Sequence, residues 1–246
     1  FPHGLANSSG LVGRYLTGHV GCQVRGVLEE LIGTPATNVD GATDHSYIPR
    51  FNAGQKNAKF VGGYHYQLQF MGFMYPQHAK YLPGFGRTFK ERVRKLQPGF
   101  VMMGGFGKVM ARAENRVTVD PNRKDAYGIP IAVVRFRFSE NDRALWRDMI
   151  ERGKEILDLA GAQEIISPDT EPAGFASHET GTARMGLDPR TSVLNAHCRA
   201  HDVKNLFVVD GSCFTTFPEK NPTLTIMALA ARAARHMAQE SRAGNL

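Results

Sequence analysis

His178-Glu179-Thr180-Gly181-Thr182-Ala183-Arg184-Met185-Gly186, preceded by Ser177, is a Gly-rich run opened by a single histidine. Further on, Asn205-Leu206-Phe207-Val208-Val209-Asp210-Gly211-Ser212 is an apolar segment ending in Asp-Gly, and Asn221-Pro222-Thr223 opens a second apolar stretch. The first segment reads as a strand closed by a turn. The second reads as a helix from about Pro222 to Gln239, with Asn221 as N-cap and Pro222 at N1, where a missing N–H costs nothing. Leu224, Met227, Ala228, Ala231 and Ala234 or Met237 mark a face of mostly small residues suited to close packing.

The chain before this region differs in kind. Phe1–Arg14 is turn chemistry, rich in Gly and small polar residues, and Thr34–Gln55 is a polar, irregular excursion. Tyr64, Tyr66, Leu68 and Phe70 alternate with His65, Gln67, Gln69 and Met71, the period of a strand with two different faces. Phe100–Ala111 is apolar and contains Gly104, Gly105 and Gly107, which predict a bulge or a close approach. Arg116–Asp120 runs into the turn Asp120-Pro121-Asn122, and Ile131–Phe138 places Ala132, Val134, Phe136 and Phe138 on one side. Strands with short connections predict an antiparallel sheet. Ser139-Glu140-Asn141-Asp142 has the form of an N-cap with an acidic first turn. Leu145, Met149, Ile156 and Leu159 or Ala160 form the stripe of a helix that Gly161 ends, and Pro168–Ala173 is a proline-bearing linker.

Composition sets bounds. At 246 residues and 42% apolar content the chain reads as an ordinary folded protein of one or two domains. No window approaches the eighteen or so unbroken apolar residues of a membrane span. The chain opens on Phe1 with no signal segment, so it reads as processed or cut from something longer, in an unspecified cytoplasmic or periplasmic compartment. Three cysteines without a CxxC pair, Cys22, Cys198 and Cys213, fit buried thiols under reducing conditions. The net charge of +7 is dispersed, with one basic cluster, Arg87–Lys95. There Phe89, Val93 and Leu96 recur at helical spacing, which is the solvated face of an amphipathic helix rather than a nucleic-acid site.

Oxidising an alcohol by hydride transfer needs a group to take the hydroxyl proton. Histidine suits it, with an unperturbed pKa near 6.5. A neutral carboxamide can orient the same oxygen without competing for the proton. A helix N-terminus brings a positive dipole end toward a flavin edge where charge develops. A strand ending in Asp-Gly offers a carboxylate and a close-approach glycine where ligands of α/β sheets bind. His178, Asn221, Asp210 and Gly211 have these chemistries in this order.

Taken together, His178–Gly186, Val208–Ser212 and Asn221–Ala228 resemble the C-terminal signature of the glucose–methanol–choline (GMC) flavoprotein oxidoreductases. The likeness is nearer the bacterial sugar and polyol dehydrogenases and pyranose-oxidase-like members than fungal glucose oxidase. It extends to Phe1–Arg14 and Asn115–Ala162, and more loosely to Thr34–Gln97. The resemblance implies an α+β chain: a largely antiparallel substrate-domain sheet backed by helices, plus the C-terminal strand–helix segment of a Rossmann-like FAD domain. Residues 1–30 would connect within the FAD domain, 31–170 would form the substrate-binding domain, and 171–246 would close the FAD domain and carry the active site. It also implies His178 as the base, Asn221 as the second active-site position, and FAD contacts from Asp210, Gly211, Asn221, Pro222 and Thr223. The partners implied are a small-molecule sugar or alcohol substrate, the family's N-terminal FAD-binding region, and a quinone, cytochrome or oxygen as acceptor, with a dehydrogenase favoured. No G-x-G-x-x-G is present, so the fragment alone is expected to hold FAD weakly and to be inactive. Thr17-Gly18-His19 stands where many relatives have Asp-His, which leaves His19 without an assigned role.

Three other readings compete. His197, Cys198, His201 and Asp202 could ligate a metal, His197 and His201 having chelating spacing. Ser212 or Ser177 could serve a hydrolase, although no G-x-S-x-G elbow is present. The aromatic strand Tyr64–Phe70 could be the binding face of a non-catalytic interaction module.

Overall fold

The computed structural model describes residues 4–33, 46–51, 59–70, 79–167 and 177–246. The Pro168–Ala173 linker, Phe1–His3, Met71 and most of the Thr34–Gln55 excursion lie outside them. The chain divides into two compact units, one of Phe1–Val20, Lys108–Ser139 and Ala173–Leu246, the other of Gly21–Gly107 and Glu140–Pro172. Residues 108–139 thus group with the two ends of the chain, although the sequence reading set them within 31–170.

The second unit is built on a five-stranded sheet. Its strands are β1 (His19–Val27), β2 (Ser46–Ile48), β3 (Tyr64–Phe70), β4 (Phe100–Lys108) and β7 (Gln163–Ile166), in the order β2-β3-β4-β1-β7. β2 with β3, β3 with β4, and β1 with β7 are antiparallel. The β3–β4 register is continuous from Tyr64↔Gly107 to Phe70↔Val101, so the glycines of β4 make no bulge there. Gly105 answers instead to packing: a Cβ would lie 2.5 Å from Met149 Sδ and 2.6 Å from Cys22 Sγ. The predicted difference between the faces of β3 is one of chemistry and not of exposure. Tyr64 and Tyr66 are buried under α2 (Glu140–Leu159), donating to Asp148 Oδ2 and the Met149 carbonyl, each at 2.5 Å. His65 and Gln67 are buried on the opposite side. Both tyrosines are core, which removes them from the interaction-face reading.

α2 buries Leu145, Trp146, Met149, Ile150, Gly153 and Leu157, while Leu159 points to solvent. The predicted stripe was right through Met149 and drifted a residue by the last turn. Gly161, at φ +76, ends the helix: Ala162 N–H donates to the Leu157 carbonyl and Gly161 N–H to that of Asp158, both at 2.9 Å. The expected amphipathic helix is α1 (Gly86–Leu96), whose Phe89, Val93 and Leu96 pack on Leu82, Phe100 and Met102.

The first unit holds a two-stranded ribbon, β5 (Arg116–Lys124) with β6 (Pro130–Arg135). Strand pairing carries on past Asp120-Pro121-Asn122 with an irregular register, and the chain reverses at Asp125–Gly128, where Gly128 has φ +81. The core of this unit gathers Val193, Leu194, Cys198, Cys213, Phe214, Phe217 and Ala233. It therefore brings together two of the three free, buried cysteines. Burial pushes the thiols of Cys22 and Cys213 up to about 12, so neither is a nucleophile at neutral pH.

Two expectations for the C-terminal region change. Asn205–Asp210 forms no regular strand; Phe207 makes a single bridge to Arg199, with hydrogen bonds from Val208 N–H to Cys198 and from Ala200 N–H to Leu206. The final helix, α3 (Thr223–Arg242), starts one residue later than read, with Pro222 itself at the N-cap position. It also packs on the other side. Ile226, Leu229 and Ala233 face the core, whereas Leu224 and Met227 are exposed.

Candidate active site

The site grows from two short segments that run side by side in the first unit. Thr17 N–H donates to the Thr180 carbonyl at 3.0 Å and Thr180 N–H returns a bond of 2.8 Å. His19 N–H donates to the Ser177 carbonyl at 3.2 Å, which sets His19 opposite His178. Gly18 permits the approach, because a Cβ there would stand 2.9 Å from the Ser177 carbonyl oxygen. His178 has φ +66, a left-handed conformation that costs a side-chain-bearing residue about 1–2 kcal/mol. Such strain concentrates where a side chain must be aimed.

The two imidazoles meet through like atoms: Nδ1 of His178 lies 3.2 Å from Nδ1 of His19, with ring centroids 5.1 Å apart and planes at 82°. Ser177 Oγ is 3.0 Å from the same His178 nitrogen. The other nitrogen of His19, Nε2, lies 3.0 Å from the carbonyl oxygen of Pro218. The fully buried His19 ring stacks on Phe217, centroids 4.6 Å apart. His178 is only partly buried. Burial lowers its pKa from the ordinary 6.5, partly opposed by Glu179, so the ring is neutral at working pH.

Three of the sequence features converge on Gly211. Gly181 N–H donates to its carbonyl at 3.3 Å, and a Cβ on Gly211 would sit 3.0 Å from the Glu179 carbonyl oxygen and 3.6 Å from Ile226 in the first turns of α3. The histidine loop, the Asp-Gly turn and the start of α3 are therefore neighbours. Asp210 is exposed and caps the short 3₁₀ turn Gly211–Cys213, accepting from Ser212 N–H at 2.8 Å. Asn221 and Thr223 are exposed at the head of α3, and Pro222 is buried.

These residues fit the flavin end of FAD. The first-turn amides of a twenty-residue helix lack intrahelical acceptors, and Thr223, Leu224 and Thr225 are exposed there. Gly211, which has no Cβ, lies against Ile226 in the first turns of the same helix. No phosphate-cradling glycine loop occurs in the sequence.

The metal candidates separate. His197 stacks on His236 at 3.9 Å, Cys198 is core, His201 contacts Ser192 Oγ, and Asp202 accepts from the Ser8 amide and hydroxyl. Among the described residues no group of three or more His, Cys, Asp or Glu is placed to hold a metal ion. Ser212 belongs to the Asp210 turn, and Ser177 Oγ shares the Nδ1 edge of His178 with the His19 imidazole. A cavity of about 760 Å³ lies elsewhere in this unit, lined by Arg14, Arg112, Arg116, Arg135 and Arg137, and none of the candidate site residues lines it. Sequence reasoning missed His19, Phe217 and Pro218.

Residues 111–230 match the family model described as GMC oxidoreductase, in its C-terminal domain. Those residues form a GMC oxidoreductase C-terminal domain, and members of that family are FAD-dependent flavoproteins. It is 36% identical to 2-methyl-1,2-propanediol dehydrogenase of Mycolicibacterium austroafricanum, over 97% of this chain and 44% of the relative. It is 30% identical to the fructose dehydrogenase large subunit of Gluconobacter japonicus, over 99% of this chain and 44% of that one. The chain thus spans less than half the length of these relatives. Among solved structures, formate oxidase of Aspergillus oryzae RIB40 has the same fold, with a TM-score of 0.61 at 15% identity over 94% of this chain and 48% of the other. Among the described residues no helix is long and apolar enough to cross a membrane.

Proposed function

We propose that this chain supplies the proton-accepting wall of an FAD-dependent oxidoreductase acting on the CH–OH group of a sugar or polyol. The observation that carries the reading is His178, a partly exposed imidazole in a left-handed backbone conformation whose pKa burial lowers, followed directly by Glu179 and Thr180, which abut Gly211. His178 takes the hydroxyl proton of the substrate. The Asn221 carboxamide hydrogen-bonds the same oxygen and orients it. Asp210, Gly211, Asn221, Pro222 and Thr223 would hold the FAD, and the positive end of α3 would favour the negative charge that its reduction develops. When bound, FAD supplies the hydride acceptor. Residues 31–170 serve as the substrate-binding domain, and residues 171–246 close the FAD domain. The two relatives quoted are both named dehydrogenases, which supports a dehydrogenase here; a quinone or cytochrome takes the electrons.

The FAD-bound protein, mixed anaerobically with a panel of sugars, polyols and short diols, is expected to lose its flavin absorbance with at least one of them. It should then turn over faster with a dye acceptor than with oxygen. A full-length protein, with the family's N-terminal FAD-binding region in place, that never takes up FAD would sink the proposal.

The pH dependence has a definite sign. Only neutral His178 can accept a proton, and burial holds its pKa below 6.5 against the opposing charge of Glu179. The rate of flavin reduction is therefore expected to be flat above neutrality and to fall on the acid side, with one limb centred below 6.5. A limb centred above 7 would assign the proton to another group.

A further inference from the structure

We infer that His19 is a positioning residue that fixes the tautomer of His178, and that the backbone carbonyl of Pro218 fixes His19 in turn. The inference rests on His178 as the base. A carbonyl oxygen only accepts, so the His19 nitrogen 3.0 Å from Pro218, Nε2, carries a proton. A neutral imidazole protonated at Nε2 presents a lone pair at Nδ1. The 3.2 Å contact between the two Nδ1 atoms then needs its proton from His178. His178 is thereby an Nδ1–H tautomer, with its lone pair on Nε2, on the opposite edge of the ring from His19.

The competing arrangements are worse. Two unprotonated Nδ1 atoms would set lone pair against lone pair in a partly buried contact. A doubly protonated His19 would put a charge on a ring with no exposed surface, which burial disfavours. The Ser177 hydroxyl, 3.0 Å from the same His178 nitrogen, fits the assignment because its oxygen can accept a share of the Nδ1–H bond. Phe217 holds the His19 ring flat at 4.6 Å, and the Thr17–Thr180 bridge holds the two backbones in register.

An orienting group that is neutral has a consequence that a carboxylate would not. A carboxylate would fix the tautomer and also raise the pKa of His178 by its charge. An imidazole fixes the tautomer and leaves the pKa low. When His178 takes a proton at Nε2, its Nδ1–H bond to His19 becomes charge-assisted and steadies the imidazolium.

The test is ¹⁵N–¹H NMR of ring-labelled histidines in the protein at roughly pH 8, above the ordinary imidazole pKa of about 6.5. His178 is expected to show a protonated Nδ1 and an unprotonated Nε2. In His19→Leu the preference should be lost, and flavin reduction by alcohol should slow by about 10–100-fold, the range seen when a partner that orients a metal-bound histidine is removed. In His19→Asn, whose Oδ1 takes the place of the Nδ1 acceptor, both should return to within a few-fold of the parent. An Nε2–H tautomer for His178 in the parent protein would overturn the inference without any variant, as would an unchanged His178 tautomer in His19→Leu. Failure of the base assignment reads differently, as His178→Ala leaving flavin reduction intact whatever tautomer is observed.

Discussion

His178→Ala is expected to slow flavin reduction by alcohol by roughly two to four orders of magnitude, the contribution of a general base. Anaerobic stopped-flow on the FAD-bound protein measures it. The loss should appear in the chemical step, because the neighbouring structure does not depend on the ring. The Thr17–Thr180 bonds and the His19-to-Ser177 bond are backbone interactions. Alanine also carries a Cβ, so the cost of φ +66 is unchanged. His19 cannot take over, since it is fully buried and its Nε2 faces the Pro218 carbonyl. An unchanged rate of reduction would remove His178 from the base role and the proposed mechanism with it.

The chemistry of this site was more legible in the sequence than its supports. His178, Asp210-Gly211 and Asn221-Pro222-Thr223 stand out as candidates because short motifs carry residue type and order together, and the histidine loop, the turn and the helix start meet at Gly211. His19 was not legible. Its contact with His178 joins residues 159 apart in sequence, and its tautomer depends on a backbone carbonyl 199 residues away. The one signal was the departure at Gly18, where a small residue lets His19 pass close to the loop. The buried face of α3 was misread for a different reason. Leu, Met, Ala and Ile occur on both sides of that helix, so periodicity alone could not choose between Ile226, Leu229 and Ala233 and the exposed Leu224 and Met227. α2 was easier because charged residues occupy its outer face, and only its last turn drifted.

Phe217→Ala is expected to be the most damaging single truncation, because one ring serves both the core and the site. The side chain is 1% exposed and packs with Leu194, Cys213 and Phe214, so its removal should cost about 3–5 kcal/mol. In a chain of this size that is a fall in Tm of roughly 10 °C. Bound FAD adds to stability, so a variant that also loses cofactor would exaggerate the fall. Scans of FAD-loaded and FAD-stripped samples separate the two contributions. The functional part follows from the stack: without the ring 4.6 Å beneath it, His19 loses the surface that holds its plane toward Pro218 and His178. Phe217→Leu distinguishes packing from positioning. Leucine refills most of the volume and should recover most of the stability, yet it offers no flat face, so reduction should stay slower than in the parent. A Phe217→Leu protein with both parental Tm and parental rate would show that the aromatic stack does nothing for His19 beyond filling space.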